Sequence, residues 1–244
     1  MSSGEPRVLI VIPALNEEGR IGRVVREAKS VLPGADVVVV DDQSSDGTTG
    51  EALAAGAKIL RHLVNLGAGA GYETGYLYAV RHGYDCVLQM DGDGQHVAAE
   101  LPAILAPVAA GDADLVVGSR YLGGDSGYKT PALRRLGQRV FTAVIRAVAG
   151  IRITDPTSGF RCLGQRALKL FSSGIFPSDF PDADVLLMGH YAGLKISEVR
   201  VRMAERLGGR SMYRGFRPVY YAAKMLLSIF IVVLSFRRWR KYVS

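Results

Sequence analysis

At 244 residues the chain can bury one substantial core, and 48% hydrophobic against 22% charged residues exclude a disordered chain. Thirty Lys and Arg against 23 Asp and Glu leave a net charge of +7, which suits a phosphate-bearing or polyanionic partner. The surplus is concentrated late: from Arg200 to Lys241 the basic residues face one acid, Glu205.

In chain order, residues 8–12 form an apolar run too short for a helix, which reads as a buried strand ended by Pro13. Asn16 stands where it can cap a helix starting at Glu17 and running to about Leu32, apolar at Ile21, Val24, Val25, Ala28 and Val31. Residues 37–40 are a β-branched second strand closed by Asp41-Asp42, and SSDGTT turns into a helix over 48–55. A short third strand covers 58–61, and the glycine-rich NLGAGAG opens a helix reaching about Arg81. Strands follow at 86–90 and 115–118, then a helical pattern over 131–149. TDPTSGFR is a polar turn that re-enters the fold, residues 195–201 are a last strand, and an apolar helix closes the chain.

Strands apolar on both faces and alternating with helices predict a mostly parallel α/β sheet. Ligands of such sheets bind beyond the carboxyl ends of the strands. The polar clusters fall there: Asn16 and Glu17, Asp41 and Asp42, Asn65, Asp91 and Asp93, then Ser119 and Arg120.

LQMDGDGQH, residues 88–96, carries two acids one residue apart. As a calcium hand it fails, because His96 replaces the required glycine and Pro102 the bidentate glutamate. Two carboxylates after a strand suit Mg²⁺ or Mn²⁺, completed by substrate phosphate oxygens and water. Otherwise the stretch is an acidic turn. Asp41-Asp42 needs a cation or hydrogen-bond donors nearby and can accept from a nucleobase or ribose; otherwise it is a solvated strand end. The glycines Gly67, Gly69 and Gly71 follow a third strand rather than a first, so they are not a dinucleotide fingerprint. They suit either a nucleotide contact at a helix N-terminus or close helix–strand packing. His96 alone among four histidines neighbours the acidic pair, in a supporting or solvated role. Cys86 and Cys162 form no metal-ligand spacing and read as buried, reduced thiols.

The apolar stretch 219–236 is interrupted by Lys224 and two serines, with basic residues on both sides. Equal flanks favour a helix lying in the cytoplasmic leaflet with arginines on anionic headgroups, over a spanning or core helix. The N-terminal MSSGEPRVLIVIP lacks the pattern of a secretory signal, so the catalytic region is expected at the cytoplasmic face of the membrane.

IPALNEE, VVDDQSSDGT, NLGAGAG, MDGDGQH, VGSRY, DPTSGFR and RLGGRS stand in the order seen in glycosyltransferase family 2. The set resembles most closely its dolichol-phosphate mannosyltransferase-like, polyprenyl-phosphate branch, over residues 7–215 or so. The resemblance implies a GT-A, Rossmann-like domain over 1–216 and a membrane-associating helix over 217–244. By resemblance, Pro13, Leu15, Glu17, Asp41, Asp42, Asn65, Gly69, Asp91, Gly92 and Arg206 hold the donor nucleotide. Asp91, Asp93 and Gln95 hold Mg²⁺ or Mn²⁺. Arg120, Arg134 and Gln138 grip the acceptor phosphate, with Asp93, Arg120 and Arg134 as the catalytic set. Where relatives carry a glutamate, PSDFPDADVLL offers Asp182 or Asp184.

The implied reaction is inverting transfer from a nucleotide-sugar to a polyprenyl or dolichyl phosphate. A UDP-hexose or UDP-N-acetylhexosamine is favoured, with GDP-mannose the other donor. A phosphate monoester with a second pKa of about 6 attacks without a general base. Implied partners are a membrane surface, a small integral membrane protein and a homo-oligomer; nothing calls for nucleic acid. Three rivals stand beside this. A transferase acting on a sugar hydroxyl would use Asp182 or Asp184 as base. A nucleotidyltransferase would need a glycine- and lysine-rich first loop, which PALNEE is not. A non-catalytic nucleotide-sugar sensor would need no acceptor arginines.

Overall fold

The computed structural model describes residues 5–123, 132–179, 181–204 and 217–235, with the backbone alone at 132–134, 136 and 217–219. At its centre β1 (Val8–Ala14) runs parallel to β2 (Asp36–Asp41) and β4 (Cys86–Gln89). Pro13 does not end β1, contrary to the sequence expectation. The Val11 carbonyl accepts from Met90 on the β4 side, and the Ala14 carbonyl accepts from Asp42 on the β2 side. Alternate residues of a parallel strand face alternate neighbours, so Pro13 faces β4, beyond its last pair at Val11 and Gln89. Its missing N–H therefore interrupts no ladder.

The sheet has seven strands in the order β3-β2-β1-β4-β6-β5-β7, adding β3 (Lys58–Arg61), β5 (Leu115–Ser119), β6 (Arg161–Gly164) and β7 (Ile196–Arg200). Among the described strands only β6 is antiparallel to its neighbours, β4 and β5. Its sequence, RCLG, is short and begins with an arginine, so nothing in the pattern marks it as central. The strand residues alternate between two cores. Val8, Ile10 and Ile12 pack toward α1 (Ile21–Val31), α2 (Thr48–Ala54) and α4 (Leu101–Ala109). Leu9 and Val11 pack toward α3 (Ala68–Arg81), α5 (Ala132–Ala149), α6 (Gln165–Phe171), α7 (Ala183–Tyr191) and α8 (Arg217–Leu234). Burial on both faces is why these strands read as continuous apolar runs. The same reading marks neither α4, whose apolar residues leave no polar face and which contains Pro107, nor the short α6 and α7.

α1 starts four residues later than expected, and Asn16 does not cap it. Asn16 sits at φ +54° with its Oδ1 accepting from Ser45 N–H at 2.9 Å. The N–H groups of Asn16, Glu17, Glu18 and Gly19 donate to Ser44, Thr48, Asp46 and Glu51. The loop after β1 is thus stitched to the loop after β2, and the helix begins only once those donors are satisfied.

α8 lies against α7 and buries Met225, Ile229 and Val232 in the core. Its other face exposes Tyr220, Leu227, Phe230, Ile231 and Leu234. Among the described residues no helix is long and apolar enough to cross a membrane. Cys86 and Cys162 are free and buried, as the sequence suggested.

Candidate active site

The carboxyl ends of β1 to β5 share one edge of the sheet, because β6 reverses direction between β4 and β5. Asp41 and Asp42 stand at the end of β2, both buried. Asp41 accepts from Ser44 N–H at 2.7 Å and from the Thr49 hydroxyl, with Arg61 Nε 3.6 Å away. Burial pushes its pKa up, yet the bonds from Ser44 and Thr49 outweigh burial and hold it below the ordinary value. Asp42 bonds His62 Nδ1 at 2.7 Å and accepts from the N–H groups of Leu66 and Gly67, both at 2.8 Å. These contacts answer the repulsion that two adjacent acids would otherwise suffer. They also fill much of the accepting capacity that the sequence reading offered to a donor base or ribose. Asn65 lies exposed on the same loop, its N–H on Gln43 Oε1.

The glycines of the loop serve close packing. A Cβ on Gly71 would lie 3.0 Å from Pro13 Cβ, and one on Gly75 would lie 2.2 Å from Val11 Cγ1. One on Gly69 would lie 2.0 Å from the Pro177 carbonyl oxygen. The expected nucleotide contact at Gly69 therefore meets a backbone already covered by residues 177–178, where Ala70 N–H donates to the Ser178 carbonyl.

Asp91 and Asp93 follow β4. The Asp91 side chain is 45% exposed. Tyr72, from α3, donates its hydroxyl to Asp91 Oδ1 at 2.5 Å. Burial raises the Tyr72 pKa well above the ordinary value, so it stays a donor. On the other side, Asp91 N–H donates to His96 Nδ1 at 2.9 Å. Nδ1 then carries no proton, which leaves Nε2–H facing Asp91 Oδ2 at 3.4 Å. Burial holds His96 below its ordinary pKa, so the ring is neutral, stacked on Phe160. His96 supports the acidic pair. Gly92 brings this turn to β1: a Cβ there would stand 3.2 Å from the Pro13 carbonyl oxygen and 3.5 Å from Glu17 Cγ. Glu17 in turn pairs with Arg20 at 2.6 Å, and Leu15 lies exposed beside it.

Two carboxylates and the Gln95 amide are hard oxygen donors, one of them half in solvent, and this set fits Mg²⁺ or Mn²⁺ with the remaining positions filled by phosphate and water. Asp93 Oδ1 accepts from Gln95 N–H at 3.0 Å, which folds the turn. Among the described residues no group of three or more His, Cys, Asp or Glu gathers as a self-sufficient metal cage. The Gln95 carbonyl accepts from Ala204 N–H at 2.9 Å, so the chain after β7 passes over the acidic turn. Arg206, two residues later in the sequence, falls outside the described residues.

Two of the expected acceptor residues, Arg120 and Gln138, meet at one turn. Arg120 is 4% exposed and bound to the fully buried Asp155, Nε to Oδ2 at 2.6 Å and Nη2 to Oδ1 at 2.7 Å. Its guanidinium also donates to Thr157 Oγ1 at 3.1 Å. Gln138 donates its amide to the Thr154 carbonyl. Glu198 of β7 accepts from the N–H groups of Thr154 and Asp155 at 2.8 and 2.9 Å. Arg120, Gln138 and Glu198 thus converge on one turn, and Arg120, read from the sequence as a phosphate ligand, makes an ion pair with Asp155. The backbone of Arg134 lies on α5, and its side chain lies outside the described residues.

Asp182 and Asp184 face α8. Tyr221 donates to Asp182 Oδ2 at 2.6 Å, and Ser228 donates to Asp184 Oδ2. Asp184 Oδ1 accepts from the N–H groups of Asp182 and Val185. Burial raises both carboxyls, Asp182 to about 6. Arg161, fully buried in β6, donates to the carbonyls of Pro181 and Asp182. Sequence reasoning missed Tyr72, Asp155, Arg161 and Glu198. Asp155 and Arg161 stand inside DPTSGFR, a motif whose polarity was visible although its partners were not; Tyr72 and Glu198 carry no signal of their own.

The profile described as Glycosyl transferase family 2 matches residues 9–171. The chain is 31% identical to an undecaprenyl-phosphate mannosyltransferase of Micrococcus luteus, across 86% of this chain and 88% of the relative. It is 30% identical to a polyprenol monophosphomannose synthase of Mycolicibacterium smegmatis, across 86% and 82%. A UDP-N-acetylglucosamine–dolichyl-phosphate N-acetylglucosaminyltransferase of Methanococcus voltae is 25% identical across 90% and 95%. Among solved structures, glucosyl-3-phosphoglycerate synthase from Mycobacterium tuberculosis, in complex with Mn²⁺ and uridine-diphosphate-glucose, superposes with a TM-score of 0.71 at 20% identity. It covers 93% of this chain and 79% of that one, a likeness of GT-A-like fold.

Proposed function

The chain belongs to glycosyl transferase family 2 and is a glycosyltransferase, and from that premise we propose that it moves a sugar from a nucleotide-sugar to the phosphate of a polyprenyl or dolichyl phosphate. The observation that carries the acceptor class is the placement of Asp182 and Asp184. A hydroxyl acceptor needs a base. Both oxygens of Asp184 are engaged, and Asp182 is bonded to Tyr221 of α8. A phosphate acceptor needs none, since the monoester is largely dianionic near neutral pH. Its oxygen attacks the anomeric carbon, the bond from that carbon to the diphosphate oxygen breaks with inversion, and the electron pair leaves with the nucleoside diphosphate. No proton has to move.

In this reading Pro13, Leu15, Glu17, Asn65 and Gly92 line the donor cleft at the carboxyl ends of β1 to β4, and Asp42 shapes its glycine loop. Asp91, Asp93 and Gln95 would hold a divalent cation, which supplies charge to offset that building on the leaving diphosphate. Tyr72 and His96 keep the Asp91 carboxylate aimed outward. Arg134 and Arg206 are the proposed phosphate-binding arginines, and Arg120 positions the turn at Thr154 and Asp155. The exposed apolar face of α8, flanked in sequence by Arg210, Arg214 and Arg217 and by Arg237, Arg238, Arg240 and Lys241, rests on the anionic cytoplasmic leaflet that carries the acceptor.

The two mannosyl-transferring relatives weigh toward mannose as the sugar, and the N-acetylglucosaminyl-transferring relative toward a UDP-sugar. The test is a panel of labelled GDP-mannose, UDP-glucose and UDP-N-acetylglucosamine given to purified protein with a short polyprenyl phosphate and Mn²⁺ or Mg²⁺. Label should move to the lipid phosphate from one donor and stop on chelation. Transfer to the matching polyprenol, or transfer that survives chelator, overturns the reading.

A further inference from the structure

α8 does more than present an apolar face. Tyr221, Lys224 and Ser228, three and seven residues apart, lie on one stripe of the helix and meet Asp182, Asp179 and Asp184 in turn. These three acids belong to residues 177–179 and 181–184, close together in the chain. The other side of these residues presses on the N-terminal turn of α3. Ala70 N–H donates to the Ser178 carbonyl, and a Cβ on Gly67 would stand 3.0 Å from that same oxygen. From below, Arg161 donates to the carbonyls of Pro181 and Asp182.

The turn that residues 177–179 press on is tied to the site twice. Gly67 N–H holds Asp42, and Tyr72, less than two helical turns on, holds Asp91. Contacts therefore lead from α8 through Asp179, Asp182, Asp184 and Ser178 and the first turn of α3 to both carboxylate clusters of the cleft. Each link is a hydrogen bond or a close contact between groups with little room to move. Gly69 has none for even a methyl group.

We infer that α8 is a positioning element of the active site: through Tyr221 and Ser228 it clamps residues 177–179 and 181–184 onto the N-terminal turn of α3, and so sets the shape of the donor cleft. This rests on the glycosyl-transfer reading only for which donor is used. Neither Tyr221 nor Ser228 touches substrate in this arrangement; they act through Asp182 and Asp184. The raised pKa values of those two acids agree with carboxyls drawn out of water by the packed helix.

The test uses the full chain with Tyr221→Phe and Ser228→Ala combined, and Ser228→Thr as the variant that keeps the hydroxyl. Losing hydrogen bonds to carboxylates should raise amide exchange at residues 178–185 and at 69–72 by about tenfold. The apparent KM for the nucleotide-sugar should rise by about tenfold while kcat at saturating donor holds. Ser228→Thr should match the parent. A folded double variant whose exchange and donor KM both stay at parental values overturns the inference, and so does a fall in kcat at unchanged KM. If the parent transfers to no lipid phosphate, that defeats the acceptor reading alone. Exchange, together with Mn²⁺-dependent binding of GDP and UDP by calorimetry, then still decides the clamp: tenfold weaker nucleotide binding supports it and unchanged binding defeats it.

Discussion

The β1–β4 half of the molecule and the half built from β5–β7 with α5–α8 hold their polar residues by different means. In the first, the functional loops are tied by short-range partnerships between neighbouring strand ends: Asp42 with Leu66 and Gly67, Asn16 with Ser45, Asp91 with His96. In the second, buried and half-buried charges find partners across long stretches of chain. Arg120 pairs with Asp155, Glu198 reaches Thr154, and Asp182 is held by Tyr221. The first half encloses Asp41 and Asp42 yet leaves Asp91 facing a cleft. In the second, Asp155 and Asp184 are enclosed, so its charges shape the site from behind. The difference teaches that residue type alone does not tell a ligand from a scaffold: Asp91 and Asp155 are both aspartates in motifs, and one is half exposed while the other is fully buried.

The largest expected effect breaks the first half. Asp93→Ala should lower transfer on the order of 1,000-fold, the several kcal/mol that metal-assisted charge stabilisation supplies, with the melting temperature kept within a few degrees. Rates of labelled-sugar transfer and a thermal melt on the same sample check it; retained activity would make the acidic turn structural. Next, Asp155→Ala should break the second half through the fold, costing about 3–5 kcal/mol because the buried Arg120 guanidinium loses the carboxylate that answers its charge. Denaturant titration reads this, and a loss under 1 kcal/mol would show that Arg120 finds solvent or another partner easily.

A smaller effect sharpens the contrast in packing. Gly75→Ala places a methyl 2.2 Å from Val11 Cγ1. Overpacking of about 1–3 kcal/mol, partly offset by about 1 kcal/mol of helix propensity, should leave a net loss measurable by denaturation, with donor specificity unchanged. The smallest is a pH effect at Asp182, which faces Arg161, Tyr221, Asp184 and Arg120. Its folded pKa, about 6, lies above the unfolded value, so the folded state binds the proton more tightly. That contribution is fully present below the unfolded pKa and is lost as pH rises through about 6. Relative to Asp182→Asn, the parent should lose on the order of 1 kcal/mol of stability between pH 5 and pH 7.5. An equal or opposite dependence would mean that Asp182 is ionised throughout.

The family reading and the strand skeleton were legible in the sequence: β1, β2, β3, β4 and β5 stand where apolar runs predict them, and α3 follows its glycines. What misled was local punctuation. Pro13 reads as a stop and Asn16 as a cap, yet Pro13 faces a side of β1 where no strand pairs and Asn16 is drawn to Ser45.

The sequence by itself determined the parallel framework, the acidic turn at Asp91 and Asp93, and the basic, apolar C-terminal stretch, because each rests on the character of adjacent residues. Only the tertiary structure decided that β6 runs antiparallel in the middle of the sheet, that Arg120 answers Asp155, and that α8 holds Asp182 and Asp184. A buried charge takes whichever partner the fold brings to it, and that choice depends on segments 35 to 44 residues apart meeting in space.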